Sequence, residues 1–145
     1  LVPDTDDMAY HGRAAQVVRV IDGDTIELGV ADPLQEKPVT RIRLWGIDCP
    51  EAAREDHPAE SGADGATNLV RSLAADREVI VLLESHRTRD VFGRLLAHIE
   101  LADGRNLAEV LLEAGLARME DRWPHSRLGR FAQLETAARG GRFDQ

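Results

Sequence analysis

The sequence predicts an α+β fold, a small closed β-barrel with helices packed on one end. Apolar residues alternate with polar ones through residues 15–45, as in half-buried strands. A helical pattern over 66–73 then precedes two further apolar runs, and two more helical patterns follow over 106–139. With 145 residues, 43% hydrophobic and 30% charged, the chain is long enough to bury one core.

The strands of the first half follow a polar lead-in. Residues 1–13 are rich in aspartate and lack periodicity, which predicts a flexible segment before a single domain over 14–145. Two strands flank the turn signal Asp22-Gly23, and a third alternates Ile42 and Leu44 with arginines.

The second half alternates strands and helices. One helical face is formed by Ala66, Leu69, Val70 and Leu73, and strands are predicted over 79–84 and 92–101. Asn106 and Glu109 resemble a capping pair that opens a helix, and Gly115 closes it. A last helix is predicted at about 126–139. This order fits a five-stranded OB-type barrel with three helices.

The charge distribution bears on the partner. A net charge of −8 is unexpected for a protein that binds nucleic acid, since phosphate binders are usually basic. Residues 1–64 carry 14 acidic and 6 basic side chains, whereas residues 115–145 carry 4 and 6. No apolar run approaches the roughly 20 residues of a membrane span. We expect a monomer with no membrane segment.

Three motifs contain the candidate functional residues. They are Asp22-Gly23-Asp24-Thr25, the stretch R-L-W-G-I-D-C-P-E over 43–51, and D-V-F-G-R over 90–94. Taken singly, each has an ordinary structural explanation; the first, for example, is a good hairpin turn. Their joint presence is more informative than any one of them.

The side chains of these motifs predict phosphodiester chemistry. Asp24 and Asp48 each lie where a strand meets a turn, so both can project from one end of the barrel. Converging carboxylates repel each other, and calcium, which prefers carboxylate and carbonyl oxygens, relieves that repulsion. Arg43 and Arg94 can clamp a phosphate, and Glu51 is close enough to Asp48 to hold or deprotonate a water.

At these motifs the chain resembles the staphylococcal nuclease (thermonuclease-like) domain family, from about Val17 to about Gly140. The middle motif is long and specific, and the stretch over 106–117 adds to it. The resemblance implies an OB-fold barrel with three helices. It also implies calcium-dependent endo- and exonucleolytic cleavage of DNA and RNA, leaving 3′-phosphate ends. Family habit further implies a secreted or cell-envelope location.

The resemblance assigns a role to each motif side chain. The roles are metal ligation for Asp24, Asp48 and the main-chain carbonyl of Cys49, phosphate binding for the catalytic Arg43 and Arg94, water activation or orientation for Glu51, and support of the metal site for Asp22. The Cys49 thiol itself is expected to be partly buried and inert.

The departures from the family pattern concern substrate binding. Where the family prototype has Lys-Tyr before Gly-Arg, this chain has Val91-Phe92, and a family tyrosine falls on Asp121. Phe92 and Trp123 are the aromatic candidates for contact with a nucleotide. These changes predict weaker affinity for the polymer and leave the chemistry untouched.

Two other functions compete with catalysis. A non-catalytic OB module could bind nucleic acid or protein, and the acidic face could bind another protein. A binding module has no physical need to keep both aspartates, both arginines and Glu51, so the set favours the enzyme. The five histidines show no metal-ligand spacing, which argues against a zinc site.

Overall fold

The structure is a computed structural model that describes residues 5–53 and 55–143. In chain order the elements are α1 (Thr5–Tyr10), β1 (Ala14–Asp22), β2 (Thr25–Leu28), β3 (Thr40–Leu44), β4 (Ile47–Asp48), α2 (Ala63–Ala74), β5 (Glu78–Leu82), β6 (Leu95–Glu100), α3 (Leu107–Glu113), β7 (Arg118–Met119) and α4 (Leu128–Phe143).

Five of the strands close into a barrel in the order β1-β2-β3-β6-β5. β1 pairs with both β2 and β5, so the sheet has no open edge between its first and last strands. The β3–β6 pairing is parallel and the other four are antiparallel. The predicted OB-fold barrel is therefore confirmed. β4 and β7 form a separate two-stranded sheet that sequence patterning did not reveal.

Apolar side chains of the strands fill the barrel. In β3, Ile42 and Leu44 are buried while Arg41 is exposed, as the alternation predicted. Ile26, Leu95 and Leu111 are fully buried, so the core runs from the barrel into α3.

The helix boundaries follow local capping chemistry. The side chain of Asn106 accepts a hydrogen bond from the amide of Glu109 at 3.0 Å, so α3 begins where it was predicted. Ala114 is the C-cap residue of α3, and Gly115 follows it with a left-handed φ of 74°. α4 begins at Leu128 and extends beyond the predicted end at 139, to Phe143.

The described part of the expected flexible lead-in is instead packed on the barrel. Residues Thr5–Tyr10 form α1, and Tyr10 is 1% exposed. Its hydroxyl lies 3.0 Å from Thr40 Oγ1 and donates to the carbonyl of Ala31 at 3.2 Å. The contacts that hold α1 come from residues distant in sequence, which a periodicity argument cannot detect. α1 also makes a fourth helix beside the three expected; residues 1–4 lie outside the described residues.

Within the described ranges, no helix combines the length and apolarity needed to cross a bilayer.

Candidate active site

Strand register brings the first two motifs together at one end of the barrel. Thr25 pairs with Arg43 in the β2–β3 ladder, and the amide of Leu44 donates to the carbonyl of Asp24 at 2.9 Å. Arg43 NH1 consequently lies 2.7 Å from Asp24 Oδ2, and Arg43 NH2 lies 3.8 Å from Asp48 Oδ1. The structure thus unites Asp24, Arg43 and Asp48, which are separated by up to 24 positions in the chain.

The short contact between Arg43 and Asp24 is an ion pair rather than an aligned hydrogen bond. Arg43 NH1 is buried and makes no well-directed hydrogen bond to any described residue, although it is close to the carboxylate. Asp24 is itself buried, and its two oxygens accept from Thr25 Oγ1 at 3.0 Å and from the Cys49 amide at 2.8 Å. An arginine N–H with donor capacity therefore lies beside a fixed carboxylate.

The turn between β1 and β2 requires glycine at position 23. A Cβ there would lie 2.8 Å from the Cys49 sulfur and 2.8 Å from the Ala66 Cβ, both closer than van der Waals contact allows. The turn is thus pressed against α2 and against Cys49. This packing holds Asp22 and Asp24 in place.

Negative charge exceeds positive charge among the side chains of this site. Burial, reinforced by the charge of Asp24, raises the pKa of Asp22 to about 7, and Asp22 Oδ1 has no hydrogen-bond partner among the described residues. Burial and the charge of Asp24 also raise the pKa of Asp48, although Arg43 opposes them. Carboxylates that raise one another's pKa in this way fit a hard divalent cation, whose charge would relieve both effects.

Cys49 contributes through its backbone. Its thiol is buried, and burial raises the pKa of the thiol far above its ordinary range, so the sulfur stays protonated. The thiol is more deeply buried than the sequence predicted. The amide of Cys49 orients Asp24 through the hydrogen bond described above.

A cleft of about 550 Å³ is lined in part by the last three residues of the third motif. Arg94, Phe92 and Glu51 all line it, and we call it the arginine cleft. Arg94 Nε donates to Asp90 Oδ2 at 2.6 Å, and the Arg94 amide donates to Asp90 Oδ1 at 3.0 Å. Asp90 therefore orients the Arg94 guanidinium. This role was not predicted, although Asp90 lies within the third motif.

Glu51 is held through main-chain hydrogen bonds. Its amide donates to Glu60 Oε1 at 2.8 Å, and the amide of Glu60 donates to the carbonyl of Glu51 at 2.9 Å. These two hydrogen bonds join the two ends of the loop between Glu51 and Glu60. Glu60 was not predicted to take part in the site.

The two predicted aromatic contacts are not brought together. Phe92 is exposed beside Arg94, whose guanidinium carbon lies 5.3 Å from the ring centroid. Trp123 is 43% exposed, with the guanidinium of Arg87 at 4.0 Å from its ring, and it does not line the arginine cleft.

An arginine whose side chain is 13% exposed supports the loop that carries Arg94. Arg89 NH1 lies 2.7 Å from Asp32 Oδ2 and donates to the carbonyl of Gly93 at 3.0 Å. Arg89 NH2 lies 2.9 Å from Asp6 Oδ1. One guanidinium thus connects α1, the β2–β3 connection and the turn before Arg94. Nothing in the local sequence distinguishes Arg89 from an ordinary surface arginine.

Two histidines converge despite their lack of metal-ligand spacing. Within residues 5–53 and 55–143, Glu84, His98 and His125 place ligand atoms within 4.8 Å of one another. Their hydrogen bonds favour a structural role. The backbone amide of Arg127 donates a hydrogen bond to Nδ1 of His125 at 3.1 Å. A neutral His125 ring therefore carries its proton on Nε2, and that nitrogen has no lone pair for a metal. Glu84 Oε2 already accepts from Ser126 N at 3.1 Å and Oγ at 2.6 Å, and lies 2.8 Å from Nε2 of His98.

These histidines should make the protein sensitive to acid. Burial lowers the pKa of His98. Burial and the charge of His98 lower the pKa of His125 to about 4, although the charge of Glu84 opposes them. Below pH 6.5 the unfolded chain therefore binds more protons than the native state. The contribution to stability is complete above pH 6.5 and is lost as the pH falls toward 4, by roughly 2 kcal/mol.

Urea denaturation between pH 7 and pH 4 measures this loss. His125→Asn keeps an acceptor for the Arg127 amide and removes one titrating ring, so the pH dependence of its unfolding free energy should be flatter. An equally steep dependence in the variant would mean that His125 is not responsible.

The fold and the site define an OB-fold protein with carboxylates and arginines clustered at one end of the barrel. The family model described as staphylococcal nuclease homologue matches residues 41–144. This chain belongs to that family.

Its relatives include proteins named as nucleases. An uncharacterized endonuclease of Escherichia coli O157:H7 is 37% identical over 107 residues, 74% of this chain and 59% of that protein. The thermonuclease of Staphylococcus intermedius is 33% identical over 108 residues, 74% of this chain and 60% of that protein. The SPbeta prophage-derived endonuclease YokF of Bacillus subtilis (strain 168) is 30% identical over 101 residues, 70% and 32% respectively. The matched region spans at most about three fifths of these relatives.

Proposed function

We propose that this chain is a calcium-dependent nuclease that hydrolyses phosphodiester bonds of DNA and RNA, within chains and at their ends, leaving 3′-phosphates. Family membership and the names of its relatives support the class of activity. The observation that carries the proposal is the meeting of Asp24, Asp48 and Arg43 at 2.7 and 3.8 Å. We further propose secretion or an envelope-side location and a monomeric state, on the family resemblance alone.

Asp24, Asp48 and the main-chain carbonyl of Cys49 would hold the calcium ion. The unpartnered Oδ1 of Asp22 and the raised pKa values of Asp22 and Asp48 support a cation at this position. Bound there, the ion supplies Lewis-acid polarisation of a phosphoryl oxygen. Asp22 would act by orienting the residues that hold it.

The arginines and Glu51 provide the remaining chemistry. Arg43 and Arg94 bind the non-bridging oxygens of the scissile phosphate and stabilise the negative charge that grows in the transition state. Glu51, in the same cleft as Arg94, orients a water molecule or removes its proton for attack on phosphorus. The phosphorus–oxygen bond to the 5′-oxygen then breaks, the 5′-oxygen takes up a proton from solvent to become a hydroxyl, and the phosphate stays on the 3′ side.

Calcium should be needed for activity and should stabilise the fold. Cleavage of single-stranded DNA is expected with calcium and not with excess chelator. Calcium at about 100 times its Kd should add roughly 2.7 kcal/mol to the unfolding free energy, because only the folded state assembles the site. The measurements are a gel assay and a melting curve, each with and without calcium.

Two aspartate variants test where the ion binds. Asp48→Asn should lose both the activity and most of the calcium-induced rise in Tm. Asp103→Asn, at an exposed aspartate paired only locally with Arg105, serves as the matched control and should retain both. Turnover that persists in chelator would overturn the metal assignment. Binding of DNA without cleavage would instead favour the non-catalytic module.

A further inference from the structure

A second cleft borders the candidate active site on the other side of Asp48. It has a volume of about 400 Å³ and lies between the segment after β4, the α3–β7 connection and α4. Asp48, Cys49 and Pro50 line this cleft, whereas Glu51, the next residue, lines the arginine cleft. Residues 48–51 therefore form a ridge with one cleft on each side.

Asp48 and Glu60 join the second cleft to the catalytic groups. β4 pairs with β7 so that Asp48 lies opposite Arg118, and Arg118 NH2 is 4.0 Å from Asp48 Oδ2. The same carboxylate contacts Arg43 through its other oxygen. Glu60 also lines the second cleft, and its hydrogen bonds fix the backbone of Glu51. An occupant of this cleft would thus be next to both the metal site and Glu51.

The lining of the second cleft suits a nucleobase better than a phosphate. Leu116 and Ala138, both partly exposed, give its lining an apolar part. Three carboxylates and two guanidiniums complete the lining, a balance that disfavours a polyanion. A base has a flat apolar face and an edge of donors and acceptors, which a lining with both apolar and polar groups can meet.

Arg118 is the donor best placed for the edge of a base. Its side chain is 76% exposed, and its ion pair with Asp48 is long. Arg139, the other guanidinium of this cleft, is paired with Glu135 one turn earlier on α4. The Arg118 guanidinium can therefore donate two hydrogen bonds to a base without breaking a short ion pair.

We propose that the second cleft binds the nucleoside on one side of the scissile phosphate, while the arginine cleft receives the nucleoside on the other side. The inference rests on the proposed nuclease function. A phosphodiester whose phosphorus lies at the ridge has one nucleoside on each side, and each cleft is large enough for one. The second cleft is then a subsite that orients the substrate and helps to set base preference.

Filling the second cleft tests the proposal. Ala138 lies on α4 and lines the cleft, whereas its neighbour Ala137 is exposed on the same helix and does not. Ala138→Trp should lower kcat/KM on single-stranded DNA by about tenfold or more, the scale of one lost base contact. Ala137→Trp is the matched control and should cleave like the parent. Melting curves with calcium establish that both variants are folded.

Small substrates distinguish a subsite from a general defect. Thymidine 3′- and 5′-(p-nitrophenyl phosphate) each have a nucleoside on only one side of the phosphate. For one of the two esters, the loss caused by Ala138→Trp should be at least fivefold smaller than the loss on DNA. Equal losses on DNA and on both esters would show damage to the catalytic groups and would overturn the proposal.

A substitution at the surface provides an independent test that leaves the core unchanged. Arg118→Ala should raise KM for single-stranded DNA at least threefold, with a larger effect for some bases than for others. Arg122→Ala, at a comparably exposed arginine paired with Glu120, should not change KM. If the parent cleaves DNA while both cleft variants match their controls, the second cleft is not a subsite and the nuclease proposal stands. If the parent does not cleave DNA with calcium, both proposals fail.

Discussion

Replacement of Arg94 by alanine is expected to lower the turnover of single-stranded DNA by roughly 10²–10⁴-fold, because one of the two guanidiniums that we propose to stabilise the transition-state charge is lost. Asp90 holds Arg94 in the same cleft as Glu51, so its loss should affect chemistry more than folding. Glu51→Ala should reduce turnover on a similar scale. Single-turnover rates at saturating calcium, with melting curves of each variant, measure both quantities.

Arg105 offers an unusually close control for this experiment. Its amide and its Nε donate to Asp103 at 3.1 and 2.8 Å, the arrangement that Arg94 makes with Asp90. Arg105 lies in the β6–α3 connection and lines neither cleft. Arg105→Ala should therefore cleave like the parent, and Arg94→Lys, which keeps the charge and loses the fork, should be intermediate. Equal activity of Arg94→Ala and Arg105→Ala would show that the site is misplaced.

Replacement of Arg89 by methionine is expected to cost about 3–5 kcal/mol of unfolding free energy, the largest stability effect that we anticipate. The side chain of Asp32 is only 3% exposed and that of Asp6 is 12% exposed, so both carboxylates would lose a buried counter-charge. Urea denaturation at pH 7 measures the loss. Activity should also fall, because Arg89 anchors the turn that precedes Arg94.

A second substitution identifies the cause of that loss. Asp32→Asn in the Arg89→Met background removes the stranded charge and should restore part of the stability. Arg105→Ala, which breaks an exposed pair, should leave the unfolding free energy close to that of the parent. An Arg89→Met variant no less stable than Arg105→Ala would mean that Arg89 does not hold the three segments together.

Much of the barrel was predictable because its signals are local. The alternation of Ile42 and Leu44 with arginines marks a strand with one face in the core, and Asn106 caps α3 through a residue three positions away. The motif residues could be placed for the same reason, since turn chemistry identifies where a strand ends. Asp24 and Asp48 are such residues, and register then brings them to one guanidinium.

Contacts between distant segments were the ones that sequence patterning missed. α1 is held by Tyr10 against Thr40 and by Asp6 against Arg89, over separations of 30 and 83 residues. The two-residue strands β4 and β7 are too short to show any periodicity, yet their pairing places Arg118 beside Asp48. The histidine group likewise joins Glu84 to His125 from separate elements.

The amino-acid sequence by itself determined the fold class, the order of the five barrel strands and three of the helices, and the identity of the charged motif residues. Periodicity and capping act over a few residues, so both can be recognised from the sequence alone. Tertiary structure alone decided which charges meet: the ion pairs of Arg43 with Asp24 and Asp48, and those of Arg89 with Asp6 and Asp32. Those contacts depend on barrel closure and strand register, which bring together residues that share no local pattern.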